Sequence, residues 1–123
     1  MANPHFVLFY VENPTASANF YRKLIEREPV DASPTFVMFA LREGLMLGLW
    51  ARAGVSPPDH APAGGGDLSF PADDYAEVDA THARWKGLGV SILQPPTDMD
   101  FGRTFVALDP DGHRLRVFSP ARA

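Results

Sequence analysis

The sequence predicts an α+β fold in which two tandem βαβββ modules form a curved mixed sheet around a pocket. Two observations carry that prediction. One order of strand, capped helix and further strands occurs twice along the 123 residues. With 46% hydrophobic residues, a chain of this length buries one proper core but cannot support two independent domains. The expected organisation is a single domain over residues 1–123, with module one at about 1–53, a linker at 54–66 and module two at 67–123.

Phe6 to Val11 is rich in strand formers and ends at Asn13-Pro14. Asn is a favoured N-cap and Pro is pre-organised for the first helical position, so a strand feeds a helix there. Phe20 and Leu24, with Tyr21 on the flank, carry the helical spacing, and Pro29 closes the segment. A short strand is expected around Glu28 to Val30. Thr35 to Leu41 and Leu45 to Trp50 follow as strands joined by a tight turn at Arg42-Glu43-Gly44. The stretch from Gly54 to Gly66, with Pro57, Pro58, Pro62 and a triple glycine, reads as a loop that packs no core.

The order then repeats. Leu68 to Ala72 is a strand, and Asp73-Asp74 supply capping carboxylates for a helix from about Tyr75 to Lys86 that stops at Gly87 and Gly89. Val90 to Leu93, Thr104 to Leu108 and Leu115 to Phe118 are the remaining strands, the last two joined by the turn Asp109-Pro110-Asp111-Gly112. The shift that lays Asp67 on Phe6 also lays Asp73-Asp74 on Glu12-Asn13. Either module alone leaves one sheet face uncovered, so the two are expected to pair around a shared concavity.

Strand alternation sorts the side chains into two sets. Val7, Phe9 and Val11, Leu45, Leu47 and Leu49, Leu68 and Phe70, and Leu115 and Val117 are expected to cover the helices. Phe6, Leu8 and Tyr10, Met46, Gly48 and Trp50, Asp67 and Ser69, and Arg114, Arg116 and Phe118 are expected on the open side. Thr35 to Leu41 and the strand containing Phe105 are apolar in both alternations and cannot be phased. The candidate ligand-binding residues are Trp50, Tyr10, Met46, Phe118, Arg116, Asp67 and Phe6. Rings bury large area and a few charges fix orientation, which suits a planar organic molecule with a polar edge.

Eleven Lys and Arg against fifteen Asp and Glu leave a net charge of -4 with no basic cluster, so a nucleic-acid partner is not expected. The absence of cysteine removes disulfides, thiol nucleophiles and thiolate metal sites. The start Met1-Ala2-Asn3-Pro4-His5 lacks the pattern of a signal peptide, and the longest apolar region is broken at Arg42-Glu43-Gly44. A cytoplasmic protein with no membrane partner is expected.

Val11-Glu12-Asn13-Pro14 leading to Phe20-Tyr21, the Asp73-Asp74 segment and Phe105-Val106-Ala107-Leu108-Asp109-Pro110-Asp111-Gly112-His113 resemble the vicinal-oxygen-chelate superfamily of glyoxalases, bleomycin-resistance proteins and dioxygenases. Metal-dependent members draw ligands from four inward positions, which the resemblance places on Phe6, Gly48, Asp67 and Arg116. A phenyl ring and a glycine donate nothing and a guanidinium repels a divalent ion, so no metal and no cofactor is expected. His5 lies one residue from a ligand position and so faces the other way. His60, His82 and His113 fall in the linker, on helix two and at the final turn. Glu28-Pro29-Val30, Ser33-Pro34, Leu49-Trp50 and Phe101-Gly102-Arg103-Thr104-Phe105 are similar, more narrowly, to the phenazine antibiotic-resistance proteins of that superfamily.

What this implies is a homodimer that sequesters a planar aromatic antibiotic without changing it, with Trp50 stacked on the ligand and no catalytic residues. The alternative is a glyoxalase-like or other enzyme of the superfamily, a lyase, isomerase or dioxygenase, with Asp67 as general base and Arg116 opposite developing negative charge. A third possibility is a partner-binding module with a filled pocket. Arg103 is either a second anion contact or a surface charge on an edge strand.

Overall fold

A computed structural model of the chain describes residues 2–121. The chain divides into two compact units between Ala61 and Pro62, and each unit holds one four-stranded mixed sheet and one long helix.

The first unit runs β1 (Phe6–Val11), α1 (Pro14–Ile25), β2 (Asp31–Ala32), β3 (Phe36–Arg42) and β4 (Leu45–Ala51), with sheet order β1-β4-β3-β2. The β1–β4 pair is parallel and the others are antiparallel. Asn13 Oδ1 accepts the Ala16 N–H at 3.1 Å, and Pro14 opens the helix. The buried stripe of α1 is Pro14, Ser17, Ala18, Tyr21 and Leu24, so Tyr21 lies at its centre and Phe20 lies on the flank, the reverse of the sequence expectation. Glu26 ends the helix in the left-handed region at φ 55°.

The short strand lies at Asp31–Ala32, downstream of the Glu28–Val30 position read from the sequence. Pro29 has no N–H to donate, and the first ladder bond on this edge runs from Val30 N–H to the Met38 carbonyl at 2.8 Å. The structure also phases β3: Val37 and Phe39 are buried together with Leu47, Leu49 and Val11, while Phe36 and Met38 pair with Trp50 and Gly48 on the other face. Beyond β4, a 3-10 turn over Arg52–Gly54 leads into the predicted loop, and Val55 within that loop is buried. An Arg52–Asp59 ion pair at 3.0 Å ties it down, so its first part belongs to the packed unit.

The second unit runs β5 (Asp67–Pro71), α2 (Tyr75–Gly87), β6 (Ser91–Met99), β7 (Gly102–Leu108) and β8 (Arg114–Pro120), in sheet order β5-β8-β7-β6. Asp74 Oδ1 accepts the Glu77 N–H at 2.8 Å, and Glu77 Oε2 reaches back past the N-cap to accept the Asp73 N–H at 3.0 Å, so two donors at the helix start are satisfied by side chains. Trp85 meets Phe70 and Phe105 edge-on, each with ring centroids within 5.4 Å, above buried Leu115 and Val117. That settles the phase of β7: Phe105 and Ala107 lie with the helix-side core, and Thr104, Val106 and Leu108 pair with Phe118, Arg116 and Arg114 on the opposite face.

Strand β6 is longer than the Val90 to Leu93 segment expected and passes through Pro95 and Pro96. It survives as an edge strand because its ladder with β7 shifts register between Ile92 and Gln94 and again between Gln94 and Thr97, which leaves the prolines without register partners on β7. Strand β7 starts at Gly102, at φ 139°, where a Cβ would collide with the backbone of Ser119 and Pro120. In the Asp109 to Gly112 turn, the buried Asp109 Oδ1 accepts the N–H groups of Asp111 and His113 at 2.9 and 2.8 Å. Among the described residues no helix is long and apolar enough to cross a membrane.

Candidate functional site

Six of the seven candidate binding residues divide evenly between the ladders β1–β4 and β5–β8, with Met46 joining the first group. In the first unit the parallel register sets Phe6 beside Met46, Leu8 beside Gly48 and Tyr10 beside Trp50, so these side chains share the face away from α1. Tyr10 and Trp50 meet edge-on with centroids 6.1 Å apart, and Phe6 lies 6.3 Å from Phe36. Gly48 is the floor beneath them. A Cβ there would sit 2.6 Å from Leu8 Cδ2, 2.8 Å from Phe6 Cε1 and 2.9 Å from Phe36 Cζ, so three apolar side chains close over a position that only glycine leaves open. Leu8 remains 43% exposed, which makes this face an accessible aromatic and aliphatic surface.

In the second unit Asp67, Ser69, Arg116 and Phe118 lie on the face opposite α2. Arg116 Nε donates to Asp67 Oδ2 at 3.1 Å, and its Nη1 donates to Thr104 Oγ1 at 3.3 Å. The Thr104 hydroxyl, fully buried, donates in turn to the Val117 carbonyl at 2.9 Å. The guanidinium is therefore fixed by a carboxylate on one side and a locked hydroxyl on the other. Next to it lies a cavity of about 530 Å³ with Leu93, Met99, Phe101 and Val106 as apolar wall and Arg114 and Arg116 as its charged side. Leu93, Met99 and Phe101 are nearly half exposed, and Phe101 meets Phe118 edge-on with centroids 5.9 Å apart.

The sequence reading missed most of this wall. Leu93, Met99 and Phe101 lie on or just after a strand that bends through two prolines, and strict alternation has no means of phasing a strand with two register shifts. Arg114 was legible by alternation with Arg116 but was not singled out. Arg103 turns the other way: it bonds Asp79 on α2 and Asp98 on β6, at 2.9 and 2.8 Å. Its guanidinium is held charged further above its ordinary range by Asp98 first and Asp79 second. It is a tie between helix and hairpin rather than a cavity residue.

The residues present do not fit a metal centre. The positions that would supply ligands carry Phe6, Gly48, Asp67 and Arg116, and the single carboxylate among them is already engaged by a guanidinium. Among the described residues no three His, Cys, Asp or Glu side chains gather in one place. His5 packs edge-on against Phe6 at 5.7 Å, and His82 packs against Phe105 at 5.3 Å.

Comparison with known proteins agrees with this fold. The chain is 31% identical over 117 residues to the phenazine antibiotic resistance protein EhpR of Enterobacter agglomerans, an alignment covering 93% of this chain and 89% of that protein. The solution structure of protein ATC0852 from Agrobacterium tumefaciens is 49% identical and superposes with a TM-score of 0.90, covering 99% of this chain and all of the other. A glyoxalase-related enzyme from Fulvimarina pelagi shares the fold at 21% identity, with a TM-score of 0.83 over 97% of this chain and 88% of that one. Residues 3–117 match the family model of these proteins, and the chain belongs to the Glyoxalase/Bleomycin resistance protein/Dioxygenase superfamily.

Proposed function

We propose that the protein binds and sequesters a planar aromatic small molecule, a phenazine-type antibiotic, without transforming it. The observation that carries this is the cavity of the second unit: apolar side chains form its wall, guanidinium groups its charged side, and the surrounding donor set suits no metal. A ring system gains from burial against Met99 and Phe101, and a cation at one edge fixes its orientation. Arg116, held by Asp67 and flanked by Phe118, is the polar contact in this reading. The face built from Trp50, Tyr10, Met46 and Phe6 is a stacking surface for planar rings in its own right. Similarity to a phenazine resistance protein over most of both chains supports the ligand class.

The reading includes a cytoplasmic homodimer present in at least stoichiometric amount, because protection by sequestration turns nothing over. It is tested by calorimetric titration of the wild-type chain against phenazines with and without chelator, which registers ligand on either face. The expected result is saturation at one ligand per subunit, unaffected by chelator, with the ligand recovered unchanged. Consumption of the ligand, or a requirement for metal, assigns the protein to the enzymes of the superfamily instead. Light scattering coupled to gel filtration checks the dimer.

A further inference from the structure

We infer that Arg114 reads the charge of the ligand, and that the molecule this cavity selects is an aromatic acid bound as its carboxylate. The inference rests on the binding reading above and narrows it. Arg114 and Arg116 are two apart on β8, so both guanidinium groups project from the same face, and both border the cavity. In the ladder Asp67 lies directly across from Arg114, yet its carboxylate bonds Arg116. Arg116 also donates to Thr104, whose hydroxyl is fixed in turn by the Val117 carbonyl. One guanidinium is thus neutralised and held. The other has no hydrogen bond or ion pair among the described residues.

Two cations and one carboxylate leave the cavity with a single net positive charge, which matches a monoanion rather than a dianion such as a phosphate ester. The free fork of Arg114 matches a planar carboxylate with two parallel N–H bonds. Leu93, Met99 and Phe101 supply apolar surface for the attached ring. A neutral ring of the same size fills the same wall but leaves the charge at Arg114 unanswered.

Calorimetric titration of the full chain with phenazine-1-carboxylate and with uncharged phenazine separates the two ideas, using wild type, Arg114→Gln, Arg114→Lys and Arg116→Gln, each checked for folding by circular dichroism. Wild type should favour the acid by about tenfold or more, the size of one charge-assisted hydrogen-bond pair. That preference should shrink with added salt, vanish in Arg114→Gln and return in part in Arg114→Lys. Equal affinity for the two compounds in wild type overturns the inference and leaves the sequestration reading intact. So does a preference that survives Arg114→Gln but is lost in Arg116→Gln, which would make Arg116 the anchor. Binding of neither compound overturns both.

Discussion

Asp67 and Arg116 are bonded across the β5–β8 ladder with side chains 28% and 22% exposed, between the regime where an ion pair is worth almost nothing and the one where breaking it is severe. Removing Asp67 leaves a cation with only Thr104 for company, while removing both charges leaves a neutral face. Asp67→Ala is therefore expected to cost about 1 kcal/mol, and the double variant Asp67→Ala/Arg116→Met less than the sum of the two single changes. Urea unfolding of the four proteins measures this; strict additivity would mean that the contact contributes nothing. Gly48 is the other residue on which a face depends. Gly48→Ala forces the ends of Leu8, Phe6 and Phe36 apart together, so a loss of about 1 to 3 kcal/mol is expected from overpacking. An unchanged midpoint would show that these side chains yield freely.

At the scale of the element, α2 depends on its start more than on its length. Only Val78 and Trp85 are buried along it, so the bonds from the Glu77 N–H to Asp74 and from the Asp73 N–H to Glu77 carry an unusual share of its stability. Asp74→Ala is expected to cost about 1 kcal/mol, against a few tenths for Asp74→Gly, read as a shift in the denaturation midpoint. These caps were legible in the sequence because an Asx side chain acts on neighbours three residues away. The faces of β4, β5 and β8 were legible too, since Gly48, Asp67, Ser69, Arg114 and Arg116 break their apolar alternation, whereas β1 offers only the hydroxyl of Tyr10 to mark one side. Nothing local phases Phe36 to Arg42 or Gly102 to Leu108, where both alternations are apolar; the register with β4 and β8 decides them. For the same reason the wall at Leu93, Met99 and Phe101 lay outside the sequence reading. Its placement follows from two register shifts and two prolines on an edge strand, a tertiary accommodation rather than a local preference. The Asp109-Pro110-Asp111-Gly112 segment, the loudest motif in the chain, proves to be a turn whose carboxylate caps its own backbone.

For the whole molecule the decisive quantity is how stability responds to ligand and to chelator, because a sequestering protein and a metal enzyme of the same superfamily differ in both. The chain has no cysteine and no gathered metal donors among its described residues, and under the sequestration reading chelator is expected to remove nothing on which the fold depends. Thermal unfolding in EDTA is expected to match unfolding in its absence. A ligand that binds only the folded protein stabilises it by RT ln(1 + [L]/Kd), about 2.7 kcal/mol when its concentration is a hundred times Kd. For a chain of this size that raises Tm by roughly 10 °C. Phenazine-1-carboxylate at saturating concentration should therefore shift the melting curve upward by the same amount with and without EDTA. The shift should also increase with ligand concentration rather than reach a plateau at one equivalent, since linkage depends on free ligand. A shift abolished by chelator would show that a metal takes part in binding after all. If the first-unit face of Tyr10 and Trp50 also holds ligand, Trp50→Ala should reduce the ligand-induced shift measured against the variant's own unliganded Tm, which the loss of packing on Tyr10 itself lowers.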